Sequence, residues 1–302
     1  KTPELTYSAT IAAFNPRYSI VSSQVELKCQ QTLLATGKIQ AMVRPEPIVT
    51  NLAKIKALLP PSEALKGKVA LVTGASRGLG AIMAQALALQ GCTVFVNFHK
   101  SRAVAEQLQA SLTDAPGEIV LSQGDAGDIA WCESAKQQIL QDYGRLDFLF
   151  CNAAPGIIPM SLAANTVGRI NDYIYKAIAM TDIPMTTFLP LLCESSGWNI
   201  IISSIAALTY SYEELNDGSE EYPHYSTAKY AIEALTRNAA FKYQQVGFML
   251  VRPIRLLTDF INTPYNNQSL TTIPEVFVLE KVIKPLLDKS VVKPSGKAMI
   301  VQ

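Results

Sequence analysis

The sequence predicts an α/β protein built on a doubly wound parallel sheet of about seven strands, preceded by a short N-terminal β appendage. Three observations carry that prediction. A four-residue apolar run, Val69 to Val72, has the length and composition of a strand buried on both faces. It leads through Gly74-x-x-x-Gly78-x-Gly80 into the strong helix former 81–89. From residue 66 onward, strand-like and helix-like segments then alternate to the C-terminus, the pattern of βαβ units.

Taken in order, residues 1–44 stand apart from that pattern. Segments 19–29 and 33–43 are alternating or β-branched, with Thr36-Gly37 as turn residues, and predict a pair of antiparallel strands. They read as the tail of an upstream domain or an arm that packs on a neighbour, the alternative being a loosely ordered leader. Arg44-Pro45-Glu46-Pro47 and Pro60-Pro61 bracket a short helical segment, 50–59, so 45–65 reads as a proline-rich linker. The domain from 66 to 302 then follows. After the first strand and helix come a second strand at 93–98, a helix at 101–112 and a third strand at 118–121. A helix at 130–143 and a fourth strand at 146–151 follow. A long helical region, 169–192, is interrupted by Pro184 and Pro190. The fifth strand is 199–203, with a helix at 226–243, a sixth strand at 247–252, a helix at 275–287 and a last strand at 297–301. No internal repeat or low-complexity tract interrupts this order.

Composition narrows the function classes. Hydrophobic residues make up 49% of 302, enough for a large core. The net charge of +1 argues against a nucleic-acid surface and against a polybasic membrane patch. No apolar stretch is long enough to span a bilayer. Five scattered cysteines without a Cys-x-x-Cys pair read as buried small hydrophobes in a reducing, cytoplasmic compartment. Two histidines, His99 and His224, exclude a histidine-rich metal centre. Lys1 in first place, with no signal-peptide pattern after it, suggests a piece of a longer polypeptide.

The glycine turn between strand and helix points to a dinucleotide. Its glycines let the backbone approach a pyrophosphate, and the opening helix turns free N–H groups and its positive dipole end toward the charge. Five further features fall in order along the chain: Asp125, Cys151-Asn152-Ala153-Ala154, Ser203-Ser204, Tyr225-x-x-x-Lys229 and Arg252-Pro253, after Thr73-Gly74-Ala75-Ser76-Arg77-Gly78-Leu79-Gly80. With these, residues 66–302 resemble the short-chain dehydrogenase/reductase family, and in particular its 3-oxoacyl-carrier-protein reductases and ketoreductase domains.

That resemblance implies a Rossmann-like fold and a reaction. Tyr225 would be the general acid that protonates a carbonyl, with Lys229 one helical turn on to stabilise its phenolate and lower a pKa that is ~10 in free tyrosine. Ser204 would orient the carbonyl oxygen, although a strand-end cap is its simpler role. Ser203 should point the other way by strand alternation. The implied cofactor contacts are Gly74, Ser76, Arg77, Gly78, Leu79 and Gly80 in the turn, Asp125 at the adenine, Asn152 and Ala153 beside the adenosine ribose, and Tyr225, Lys229 and Pro253 at the nicotinamide side. No acid ends the second strand in Asn97-Phe98-His99-Lys100-Ser101-Arg102, so Lys100, Arg102 and Arg77 are candidates to clamp a 2′-phosphate, which favours NADPH. A solvated basic face is the alternative.

Departures from the family pattern also stand out. Lys176 occupies the place of a relay asparagine, which would put two ammonium groups near one tyrosine and make one of them lose its proton easily or swing outward. Ala154 and Ile254 replace usual glycines, and Ile254 should narrow the nicotinamide side of the cleft. An acid- and aromatic-rich insert, 210–222, and a short segment, 258–274, border the expected pocket, and His224 next to Tyr225 reads as a hydrogen-bonding neighbour. The expected activity is NADPH-dependent carbonyl reduction of a 3-oxoacyl thioester, small or carried on a carrier protein, within a multidomain synthase. A catalytically impaired nicotinamide-binding scaffold or sensor and a dehydratase or epimerase variant are the other readings. A homo-oligomer, dimer or tetramer, is expected from the resemblance.

Overall fold

The computed structural model describes residues 4–16, 19–43, 48–208, 222–254, 256–262 and 273–302. Among these the chain divides into two compact units.

The first unit contains a three-stranded antiparallel sheet in the order β1 (Leu5–Asn15), β2 (Ile20–Cys29), β3 (Thr32–Met42). The two expected strands are β2 and β3, and β1 adds a third. The hairpin between them turns at Gln30-Gln31, with Gln30 at φ 55°, rather than at Thr36-Gly37. Thr36 and Gly37 instead lie inside β3, paired with Glu26 and Val25, because a side chain in the left-handed region closes a tight turn without glycine.

The second unit carries a seven-stranded parallel sheet. Its elements are α1 (Leu52–Leu58), β4 (Val69–Val72), α2 (Gly78–Leu89), β5 (Thr93–Phe98), α3 (Arg102–Ala110), β6 (Glu118–Gln123), α4 (Ile129–Tyr143), β7 (Phe148–Cys151), α5 (Val167–Ser195), β8 (Trp198–Ile202), α6 (Pro223–Lys242), β9 (Gly247–Val251), α7 (Pro274–Val278), α8 (Lys284–Leu287) and β10 (Ala298–Val301). A π-type turn, Leu279–Ile283, joins α7 to α8. Residues 48–65, inside the stretch expected as linker, belong to this unit, and Ile55, Leu59 and Leu65 are part of its core.

Strand order explains where a ligand sits. The strands run β10-β9-β8-β7-β4-β5-β6, so the chain moves outward from β4 through β6 and then returns to place β7 on the other side of β4. Connections leave in opposite directions at the carboxyl ends of β4 and β7, and the crevice that opens there is the usual binding place in such sheets. Alternation within the strands feeds two core layers. In β4, Ala70 and Val72 pack with α2, α3 and the 277–283 stretch, while Val69 and Leu71 pack with α4, α5 and α6.

One expectation fails on α5. Pro184 and Pro190 lie within an unbroken 29-residue helix. Each removes one backbone hydrogen bond. Burial of Pro184, Met185, Phe188, Leu189 and Leu192 along one face holds the helix together across both.

Candidate active site

The glycine turn is fastened from three strands. Thr73, at the end of β4, donates its N–H and Oγ1–H to the Phe150 carbonyl at 3.0 and 3.2 Å. The same Oγ1 accepts from the backbone N–H groups of Asn152 (2.9 Å) and Ala153 (3.0 Å). The Asn152 carboxamide returns the link, donating to the carbonyls of Thr73 (3.0 Å) and Gly74 (3.1 Å). From β5, the buried Asn97 accepts from Gly74 N–H through its side chain and from Ala75 N–H through its carbonyl. Asn152 thus serves first as a brace for the turn. Gly74 sits at φ +62°, and a Cβ there would come within 2.9 Å of Ala153 Cα. A Cβ at Gly80 would lie 2.6 Å from the Gly74 carbonyl oxygen.

This cradle opens directly onto α2. Arg77 precedes the helix without capping it by its side chain, so the first turn, with Gly78 and Leu79, keeps free N–H groups. Thr258, buried, lies with its Cβ 3.7 Å from where a Gly78 Cβ would stand and faces the turn from beyond β9. Bare backbone donors, required glycines and a neighbouring hydroxyl fit a pyrophosphate. Thr258 was not singled out in the sequence, where it appears only as the first residue of the segment 258–274.

The basic residues separate. The Arg77 guanidinium donates to Ser101 Oγ at 2.7 Å and pairs with Asp259 at 3.6 Å. Arg102 donates to Gln123 Oε1 at 2.6 Å and pairs with Glu106. Lys100 is exposed and makes no hydrogen bond or ion pair among the described residues. Ser76 is half-buried in the turn, and the Asp125 carboxylate accepts from Gly127 N–H at the end of β6. The second strand, β5, ends in Asn97-Phe98 with no carboxylate, as its residues indicated.

Across the crevice, α6 brings Tyr225 and Lys229 to the carboxyl end of β8. Ser204 lies beside Tyr225, close enough for its hydroxyl to favour the ionised phenol. Ser204 also caps the short 3-10 turn Ile205–Ala207, accepting from Ala206 N–H at 3.2 Å, so the structural and orienting roles coexist. Pro253 is buried, and its carbonyl accepts from Ile205 N–H, tying the end of β9 to this turn. Lys229, 6% exposed, donates to the Ile202 carbonyl at 2.7 Å and stands 5.7 Å from the Tyr225 ring centre. Burial lowers its pKa to about 8, against the opposing charge of Glu233.

The expected acidification of Tyr225 is corrected here. Burial raises the phenol above its ordinary value, and the Ser204 hydroxyl only partly offsets this. The Lys229 ammonium is committed to a carbonyl and is itself the more weakly protonated partner. Tyr225 therefore stays a protonated donor at neutral pH.

Glu233, one turn beyond Lys229, anchors this arrangement and was missed in the motif reading. Its carboxylate is 1% exposed and accepts from Ser203 Oγ (2.8 Å), from Arg252 Nε and Nη2 (2.8 and 2.7 Å) and from Arg237 (2.7 Å). Burial alone would raise its pKa; the hydrogen bonds from Arg252 and Ser203 and the charges of Arg252 and Arg237 outweigh it and hold the group ionised. Ser203 faces away from Tyr225, as alternation requires. The i, i+4, i+8 spacing of Tyr225, Lys229 and Glu233 was the available signal.

Lys176 is not drawn in. It is exposed on α5 and makes no hydrogen bond or ion pair among the described residues. The α5 residues that pack with Tyr225 are Ile170, Tyr173, Ile174 and Ala177. Of the two outcomes expected for crowded lysines, outward placement is the one found. Ile254 is 47% exposed. His224 is fully buried, edge-on to Tyr173 at 4.5 Å, and neither ring nitrogen has a hydrogen-bond partner among the described residues, contrary to its expected role as a hydrogen-bonding neighbour. Burial first, and the Arg169 charge second, push its pKa down to about 4. The insert expected at 210–222 lies outside the described residues except for Tyr222, and most of 258–274 likewise.

The family model for short chain dehydrogenase matches residues 68–272. An uncharacterized oxidoreductase of Mycobacterium tuberculosis (strain CDC 1551 / Oshkosh) is 32% identical over 222 residues, 69% of this chain and 79% of that protein. Versicolorin reductase 1 of Aspergillus parasiticus is 42% identical over 116 residues, 37% of this chain. That match and two others near 40% identity span only 34–42% of the relatives concerned. A short chain dehydrogenase from Burkholderia cenocepacia J2315, solved in complex with NADP, superimposes with a TM-score of 0.65 at 21% identity, covering 79% of this chain and 98% of its own. With its glycine cradle, its Ser204–Tyr225–Lys229 grouping and a family model matched over more than half its length, the chain belongs to the short-chain dehydrogenase family of NAD(P)-dependent oxidoreductases.

Proposed function

We propose that this chain is an NADPH-dependent carbonyl reductase whose substrate is a 3-oxoacyl thioester. The observation that carries the proposal is the gathering of Ser204, Tyr225 and Lys229 at the carboxyl end of β8, with the Lys229 ammonium 5.7 Å from the Tyr225 ring centre, beside the glycine cradle; burial keeps the phenol protonated, so it can give a proton to a carbonyl oxygen. When bound, the nicotinamide supplies the hydride. Gly74, Ser76, Gly78, Leu79 and Gly80 would cradle its pyrophosphate, with Asp125, Asn152 and Ala153 toward the adenosine and Pro253 and Lys229 toward the nicotinamide ribose. Lys100 is the unengaged positive group available to a 2′-phosphate, with Arg77 beside it although held by Ser101 and Asp259, and the absence of an acid at the end of β5 removes what would repel one. Arg102 contributes less, being held by Gln123 and Glu106.

Ser204 holds the substrate oxygen while Tyr225 donates its proton to it, and Lys229 stabilises the phenolate left behind. The relatives' reductase names support the reductive direction. An apolar cluster of Ile157, Met160, Ile170, Ile174 and Ala177 against Tyr225 supports an acyl chain beside the reacting carbonyl. The second unit, which begins at Ile48, would be the catalytic domain, working as a homo-oligomer on a substrate that is small or carried on a carrier protein. Acetoacetyl-coenzyme A tests the reading: consumption of NADPH with formation of the 3-hydroxyacyl product is expected, with NADH at least tenfold poorer. NADPH that binds without turnover on thioester, ketone and aldehyde alike would instead identify a nicotinamide-binding scaffold.

A further inference from the structure

The N-terminal sheet has one face without a single charge, its polar groups being Ser23, Thr32 and the Tyr7 hydroxyl. Register places Leu5, Tyr7, Ile11 and Phe14 of β1 on the same side as Val25 and Leu27 of β2 and Ile39 of β3. No charged residue lies on that side, whereas Glu26, Lys28 and Lys38 all lie on the other, where Lys28 and Glu26 pair at 2.7 Å. Yet Tyr7 is 81% and Ile11 70% exposed. A sheet with one apolar face requires a second layer.

We propose that a second copy of this chain supplies that layer, the two sheets stacking face to face about a two-fold axis parallel to the strands. Shape is the reason for choosing a second copy. The face is bulky along β1 and small along β3, where Ala35, Gly37 and Ala41 alternate with Ile39; a Cβ added at Gly37 would meet nothing within 4 Å. An axis along the strands sets the β1 ridge of each copy over the β3 trough of the other, a self-complementary fit of the isologous kind. Three strands ~4.8 Å apart and about ten residues long give a face of roughly 500 Å² per copy, or about 1,000 Å² in all, the size at which a specific interface begins. β1 reinforces the point: Leu5–Asn15 contains no charge and no proline, the residues that ordinarily keep a sheet exposed to solvent from associating.

Sedimentation equilibrium on the whole chain at micromolar concentration tests this. The wild type should self-associate. Tyr7→Glu combined with Ile11→Glu, and separately Gly37→Leu, which fills the trough, should each weaken that association at least tenfold. Glu26→Gln, on the opposite face, should leave it unchanged. Retained NADPH binding and strand circular dichroism show that the variants are folded, and Gly37→Leu carries the test if the double variant is not. A wild type that stays monomeric overturns the proposal and leaves the face to a different partner. So does an assembly untouched by both face variants, or one equally disrupted by Glu26→Gln.

Discussion

Tyr225 and Lys229 respond to the same enclosure in opposite directions, because burial disfavours whichever form is charged. The phenol is pushed up and keeps its proton; the ammonium is pushed down to about 8 and is on the edge of losing its own. Turnover that needs a charged Lys229 should therefore fall as pH rises through about 8, and Lys229→Met should abolish that limb of the pH profile together with most of the activity. A profile unchanged in the variant would exclude Lys229 from the site. His224 gives a second residue-scale prediction, this time for stability. Its folded-state pKa of about 4 lies below the ordinary 6.5, so between those values the unfolded chain binds the extra proton and stability falls as pH falls. The full window is worth about 3 kcal/mol. Replacing His224 with Phe, which keeps a ring edge-on to Tyr173, should flatten thermal stability between pH 6.5 and 4; an equally steep loss in the variant would place the sensitivity elsewhere.

At the scale of elements, α6 is the part that has to be held. Glu233 ties it to β8 through Ser203 and to β9 through Arg252, fixing the helix on which Tyr225 and Lys229 ride. Glu233→Gln leaves the buried Arg252 guanidinium without its charge partner, and breaking such a pair costs about 3–5 kcal/mol. A marked drop in melting temperature is expected, with NADPH turnover lost in proportion to folding; a variant as stable as wild type would show the network to be dispensable. The glycine turn makes a similar demand. Gly74→Ala combines a left-handed φ with a 2.9 Å approach to Ala153 Cα, so NADPH affinity should fall at least tenfold, measured by fluorescence titration. The difference between what was readable and what was not follows from these same elements. Val69–Val72, Gly74-x-x-x-Gly78-x-Gly80 and Tyr225-x-x-x-Lys229 announce themselves because each is local, with all its parts on one strand, one turn or one helix. The Glu233–Arg252 bridge, the Asn97 brace and the continuity of α5 through two prolines depend on residues far apart in sequence, and only packing brings them together. Lys176 shows the reverse: its position along the chain pointed to the site, but the face of α5 that packs on Tyr225 passes through Tyr173 and Ala177.

For the molecule as a whole, the alternation of strands and helices was enough to predict a doubly wound parallel sheet of about seven strands; the strand order is a finding of the structure, and its reversal between β4 and β7 determines where ligands bind. What the order of elements did not convey was the extent of the N-terminal sheet, although β1 alternates as β2 and β3 do and Asn15-Pro16 at its end is a turn signal. Nor did it show that 48–65, despite its prolines, contributes Ile55, Leu59 and Leu65 to the core. Among the described residues no helix is long and apolar enough to cross a membrane. The functional account rests on a protonated phenol, next to Ser204, acting beside a bound nicotinamide. Its most direct test is a paired measurement on Tyr225→Phe, of NADPH affinity and of NADPH-dependent reduction of acetoacetyl-coenzyme A. The account predicts an unchanged affinity and a turnover reduced by ~10²–10⁴-fold, the usual contribution of a general acid; a variant that reduces the thioester as fast as the wild type would contradict it.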